Sequence, residues 1–205
     1  MSTICKICIK AKEDDVISFL KERLSSSQQE FAFSVTERAL TAIEYDNFHI
    51  NNDEPSILSC SQTTSKTTEI YFNSFSEMKA LSSFLSKKIN GFVVVNIYQS
   101  TGTAGYWSYH LKGELLREIE FGDFQILLDS GIKFDFEEDQ IGRNIADSNE
   151  EAHYVFDSDD MDLYNLNIGL DVEVYQEHGA EWKNFKLKTN KKPTKIPQKK
   201  WWKFW

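Results

Sequence analysis

The sequence predicts an α+β protein in which a mixed or antiparallel sheet carries helices on one face. Three observations lead there. Short Ile-, Val- and Phe-rich runs alternate with polar residues at the two-residue period of a strand. Two longer runs place apolar residues at helical spacing instead. The order strand, helix, two strands also occurs twice: a 65-residue shift brings Ser18-Phe19-Leu20 onto Ser83-Phe84-Leu85, Ile7 onto Phe72 and Leu24 onto Ile89. Two βαββ-like units over residues 1–122 follow from that echo.

In chain order, Ile4–Ala11 reads as a strand rich in Ile. Glu13–Leu24 follows as a helix with Val16, Ile17, Phe19, Leu20 and Leu24 on its apolar side. Asp14 and Asp15 at its start and Lys21 and Arg23 near its end suit the helix dipole. Phe31, Phe33 and Val35 mark a second strand and Leu40–Ile50 a third. Asn51–Pro55 is a turn cluster. Ile57–Cys60 and Glu69–Phe75 read as strands around a polar loop at Ser61–Thr68. Ser76 is the expected N-cap of a helix that buries Met78, Leu81, Phe84, Leu85 and Ile89 and stops at Asn90-Gly91. Phe92–Tyr98 is the most apolar strand and the expected sheet centre. Turns at Thr101–Gly105 and Lys112-Gly113 separate it from strands at Tyr106–Leu111 and Leu115–Phe121.

Beyond residue 122 the character changes. Residues 135–173 hold thirteen acids and one base, Arg143. Residues 123–188 are expected to form an acidic, irregular lobe on the first domain. Strand-like fragments stand at Gly131–Phe136 and Leu170–Tyr175, and helical turns near Ile141–Ile145. Thr189–Gln198 is an extended Lys/Pro spacer, and residues 189–205 form a Lys/Trp-rich, flexible tail.

Charge bounds the partners. The net charge is −9, yet eight Lys and no acid occur from Lys186 onward, which leaves 15 basic against 32 acidic residues before it, a net of −17. Such a body repels nucleic acid, which is held by neutralising phosphates. Cys5, Cys8 and Cys60 are odd in number, and no apolar leader precedes them. A reduced, cytoplasmic setting is expected. Cys5-x-x-Cys8 lies in a strand, where residues three apart face opposite ways, so neither zinc nor redox chemistry is expected of it. No run of apolar residues is long enough to span a bilayer.

Signatures of serine-nucleophile elbows and phosphate-cradling glycine loops are missing, and His49, His110, His153 and His178 are scattered. Tyr106, Ser108 and His110 share one strand face and Trp107 and Tyr109 the other; one face is expected to be core and the second either core or an exposed aromatic platform, core being preferred. Asp157-Ser158-Asp159-Asp160-Met161-Asp162 reads as a solvated acidic loop. Its carboxylates could attract a hard cation, but it lacks the glycine and terminal Glu of an EF-hand.

The expected function is therefore binding rather than catalysis, with no cofactor and no metal. Glu137, Glu138, Asp139, Asp157, Asp159, Asp160 and Asp162 are the carboxylates expected to meet a basic protein partner, as an inhibitor or immunity-like protein would. Lys199, Lys200, Trp201, Trp202, Lys203, Phe204 and Trp205 form a second motif: three of the five tryptophans occupy its last five positions. Such rings need another surface, whether a membrane interface met weakly, a partner groove, or the acidic body of this chain or a second copy. Alternatives are a peripheral adaptor recruited through this tail and a carboxylate- and metal-dependent enzyme.

Overall fold

The computed structural model describes residues 3–26, 31–40, 57–64, 66–72, 75–100, 104–123, 125–138, 141–144, 154–176 and 179–187. Its elements run β1 (Thr3–Ile9), α1 (Glu13–Ser26), β2 (Phe31–Thr36), β3 (Ile57–Gln62), β4 (Thr68–Phe72), α2 (Phe75–Lys88), β5 (Phe92–Gln99), β6 (Ala104–Leu111), β7 (Glu114–Gly122), β8 (Gln125–Gly131), β9 (Arg143–Asn144), β10 (Tyr154–Val155), α3 (Ser158–Asn167) and β11 (Trp182–Leu187).

Nine strands form one sheet in the order β2-β11-β3-β4-β1-β5-β6-β7-β8, and every neighbouring pair is antiparallel. The chain is α+β, with an antiparallel sheet. At its centre, β3-β4-β1-β5 with α1 and α2 has the topology of a split β-α-β sandwich: β4 and β5 run parallel with β1 between them. β6, β7 and β8 extend this core as a meander on one side, and β11 and β2 extend it on the other. The middle strand is β1, with β5 beside it.

Alternation along the strands gives each face its own core. Cys5, Ile7 and Ile9 of β1 point to one face, where Val16, Ile17, Leu20 and Leu24 of α1 meet Met78, Leu81 and Leu85 of α2. Cys8 points to the other face, into a cluster with Val94, Trp107, Ile119, Phe121, Met161 and Tyr164. The helices therefore do not all share one face, because α3 covers the second. The Cys pair points to opposite sides as its spacing predicts, and both residues are buried and in no disulfide. Burial pushes the Cys8 thiol up to about 12, which makes it unreactive at neutral pH.

Several local expectations change. α2 opens at Phe75, so Ser76 lies inside its first turn rather than ahead of it. β4, α2, β5 and β6 follow one another along the chain, and in the sheet β11 stands between β2 and β3. β8 and β11, both beyond residue 122, are strands of the same sheet. The fragments 132–136 and 170–175 join no ladder, and Arg143–Asn144 pairs with Tyr154–Val155 instead of forming helical turns. The strand expected over Leu40–Ile50 lies outside the described residues from position 41, as does most of the Thr101–Gly105 turn.

Candidate functional site

Residues 157–162, expected as a solvated loop, instead cap and open a helix that runs from Ser158 to Asn167, with both ends specified by sequence. Asp157 is the N-cap: its carboxylate accepts from the Asp159 and Asp160 amides at 2.9 and 3.4 Å. Asp160 accepts in return from the Asp157 amide at 2.9 Å, completing a capping box. Negative charge here also suits the positive end of the helix dipole. Arg143 pairs with both Asp157 and Asp160. At the other end Gly169 takes φ +84°, with its amide donating to Leu166 O and the Leu170 amide to Asn165 O. That is a Schellman stop, and it needs a residue tolerant of left-handed backbone.

The inner side of α3 is keyed to the sheet. Met161, Tyr164 and Asn165 are buried. Asn165 accepts from Trp107 Nε1 at 3.1 Å and donates to Asn96 Oδ1 at 3.2 Å and to Val172 O at 3.4 Å. Asn96 in turn donates to Cys8 Sγ at 3.6 Å. Trp107 is thus fully enclosed, so the exposed aromatic platform considered for its strand does not form. Residues 170–176 run across the same face as a strap. Leu170, Val172 and Val174 are buried, Asp162 accepts from the Val174 amide at 2.6 Å, and Lys6 donates to the carbonyls of Glu173 and Gln176. Lys6 also pairs with Glu69 at 2.7 Å, both side chains fully buried.

The outer side of α3 is unlike an ordinary solvated helix face. Leu163 and Leu166, three residues apart, are 55% and 61% exposed. Phe136, 37% exposed, packs on Tyr164 at 5.2 Å and stacks on Phe134. Asp159 lies one turn before Leu163 and is exposed, as are Asp135, Glu138 and Asp171 on the flanking segments. The last turn of the helix carries no basic residue of its own, and Lys10 donates to Gly169 O at 3.4 Å just beyond it. Exposed leucines with an exposed carboxylate one turn away are the chemistry of a docking face for something both apolar and cationic.

The carboxylates expected to face a partner divide between inside and outside. Glu137 is a correction: its side chain is fully buried, and it receives Arg117 Nε and Nη2 at 3.1 and 2.7 Å. Arg117 is itself enclosed and needs that counter-charge, so Glu137 cannot be offered to another protein. Burial opposes the Arg117 charge, but Glu137 and Asp129 outweigh it and raise its pKa. Asp157 and Asp160 are spent on the cap, and Asp162 on the strap. Burial raises the pKa of both Asp160 and Asp162. Glu138 and Asp159 remain exposed. Asp139 and Lys199–Trp205 lie outside the described residues. Leu163, Leu166 and Phe136 were missed by sequence reasoning. The signal for the two leucines was an Asp-x-x-Asp cap ahead of an apolar run ending at a glycine.

A second polar cluster lies on the opposite face, under α2. Ser83 Oγ and Ser108 Oγ sit 3.0 and 3.1 Å from Nδ1 and Nε2 of His110. Tyr106 donates to Glu118 at 2.9 Å, and Lys79 donates to the same oxygen at 2.7 Å. Serine beside histidine is the geometry of an activated nucleophile. Burial, reinforced by Lys79, pushes His110 down to about 4, which poorly matches a base working at neutral pH. The imidazole is also fully enclosed, and the cluster is better accounted for as a satisfied polar core.

Among the described residues, no group of three or more His, Cys, Asp or Glu is placed to hold a metal ion. None of the described helices is long and apolar enough to cross a membrane. No family model, curated protein or solved structure matches the chain.

Proposed function

We propose that this chain is a protein-binding protein whose α3 face masks a cationic, partly apolar partner segment, in the manner of an inhibitor or immunity protein. The observation that carries the reading is the pair of outward leucines, Leu163 and Leu166, on a helix that also exposes Asp159. Charge draws a basic partner in and sets its orientation, while the apolar side chains supply the area removed from water. The negative body, −17 before Lys186, adds long-range attraction that weakens with salt.

The test is titration with a synthetic amphipathic helix of Lys/Leu repeats, followed by calorimetry and by amide shifts in nuclear magnetic resonance. Binding should perturb residues 158–167, weaken between 50 and 300 mM salt, and weaken about tenfold in Leu163→Ser/Leu166→Ser. Polylysine, equally charged but without apolar side chains, should bind less tightly than the amphipathic probe. Equal binding of the wild type and the double variant would remove the α3 face from the proposal.

A further inference from the structure

We propose that the α3 face is occupied, in the resting chain, by the chain's own Lys199–Trp205 segment. This rests on the reading of that face as a docking surface and goes beyond it by naming an occupant that a partner must displace.

Complementarity is the first argument. The segment holds Lys199, Lys200 and Lys203 among Trp201, Trp202, Phe204 and Trp205. The helix exposes Leu163, Leu166 and Asp159, and the segment that packs Phe136 on Tyr164 also carries Asp135 and Glu138, both exposed. Aromatic rings meet aliphatic side chains, and ammonium groups meet carboxylates at the rim. The proximal stretch Lys186–Gln198 adds five further lysines and not one acid, so it too is drawn to the acidic side of the molecule.

Reach is the second. β11 is the last described strand and ends at Leu187. α3 lies over β5, to which Asn165 is tied through Asn96. Four strand spacings separate β11 from β5, or about 19 Å, with roughly 10 Å between layers, for a direct path of about 22 Å. Residues 188–198 can span up to about 36 Å when extended, and Pro193 and Pro197 favour an extended course.

Direction is the third. Lys186 of β11 stands opposite Ile57 at the start of β3, next to Leu58 opposite Phe72 at the end of β4. That is the sheet edge where β1 begins, since Tyr71 stands opposite Lys6. Ile4 stands opposite Tyr98, Tyr98 opposite Gly105, and Gly105 opposite Phe121. Phe121 packs on Phe156 at 5.2 Å, two residues before α3 begins. The chain thus leaves β11 at the same edge of the sheet at which α3 starts.

Tethering gives the segment an effective concentration on the order of millimolar, so a weak site suffices to keep it docked. The experiment compares the full chain with a full chain carrying Trp201→Ala, Trp202→Ala and Trp205→Ala. A synthetic peptide of residues 196–205 is titrated into each, with shifts of the Leu163 and Leu166 methyl groups as the readout. The tail variant should bind the peptide about tenfold more tightly than the wild type, because its own segment no longer competes. Its leucine methyls should also move toward their exposed values before any peptide is added. Equal affinity for both proteins would overturn the cis occupant while leaving the docking face intact. No peptide binding, with the Lys/Leu helix still binding, would do the same. Loss of both would sink the docking reading as well. A concentration-dependent dimer that the three substitutions abolish would place the segment on a second copy instead, and anionic vesicles competing away the methyl shifts would assign it to lipid.

Discussion

His110 shows how a single buried side chain sets a pH dependence. Its ring bonds serine hydroxyls at both nitrogens and is held neutral, with its pKa pushed down to about 4. In the unfolded chain the imidazole titrates near 6.5, so between these values the unfolded state binds the proton. The contribution is fully present above about pH 6.5 and is lost as pH falls toward 4. Between pH 7 and pH 5 this is worth on the order of 2 kcal/mol. Urea unfolding of the wild type and of His110→Gln at both values is the measurement; the variant should lack that part of the acid loss. Asp160 and Asp162, with raised values, act with the opposite sign, since their contribution falls as pH rises. Comparing the two proteins cancels them. Asn165 makes a related point about specificity. A leucine there would fill the space, but Trp107 Nε1 and Asn96 would lose their partner, so the amide fixes which side of α3 faces the sheet.

The ends of α3 set its limits, while its buried middle holds it to the sheet. Asp157→Ala removes the acceptor for two amides and one half of the Arg143 pairing. The expected cost is about 1 kcal/mol, visible as faster hydrogen exchange at the Asp159 and Asp160 amides and a matching drop in urea midpoint. Leu163→Ser/Leu166→Ser, by contrast, should leave the midpoint nearly unchanged, because neither side chain is in the core. The helix was hard to read from sequence for a physical reason. Met161 and Tyr164 point inward while Leu163 and Leu166 point outward, so apolar residues fall on both sides and the amphipathic period is blurred. α1, α2, β1 and β5 were legible because each buries one clean face or is buried on both. Residues 170–175 teach the converse. Leu170, Val172 and Val174 are buried and Asp171, Glu173 and Tyr175 exposed, a strand's alternation without a strand's ladder. Alternation reports extended backbone lying on an apolar surface, whereas pairing depends on an available edge. β11 escaped notice because Lys183, Asn184 and Lys186 dilute its apolar content. Two are used inside the fold: Lys183 pairs with Glu13, and Asn184 bonds Thr36 at 3.0 Å.

Across the whole molecule, the sheet closes only when β11 is seated. It pairs with β2 over six positions and with β3 over four, and its neighbours come from some 120 to 155 residues earlier in the chain. Phe185 is fully buried in the main core and meets Phe31 and Phe33 at 5.9 and 5.3 Å. Phe185→Ala should cost about 3–5 kcal/mol. Native-state hydrogen exchange should then show β2 opening well before β1 and β5, because β11 is the described strand that joins β2 to the rest of the sheet. Contacts of such long range also predict slow folding, since loop-closure entropy is lost before the ladder rewards it.

The seat of β11 also has a mechanical meaning. Ladder hydrogen bonds stand perpendicular to the strand, so traction on the chain beyond Leu187 runs along the strand axis and strains both ladders together in shear. A tether attached there would haul against the interior of the sheet instead of peeling a loose border, and the protein would resist as an anchor point.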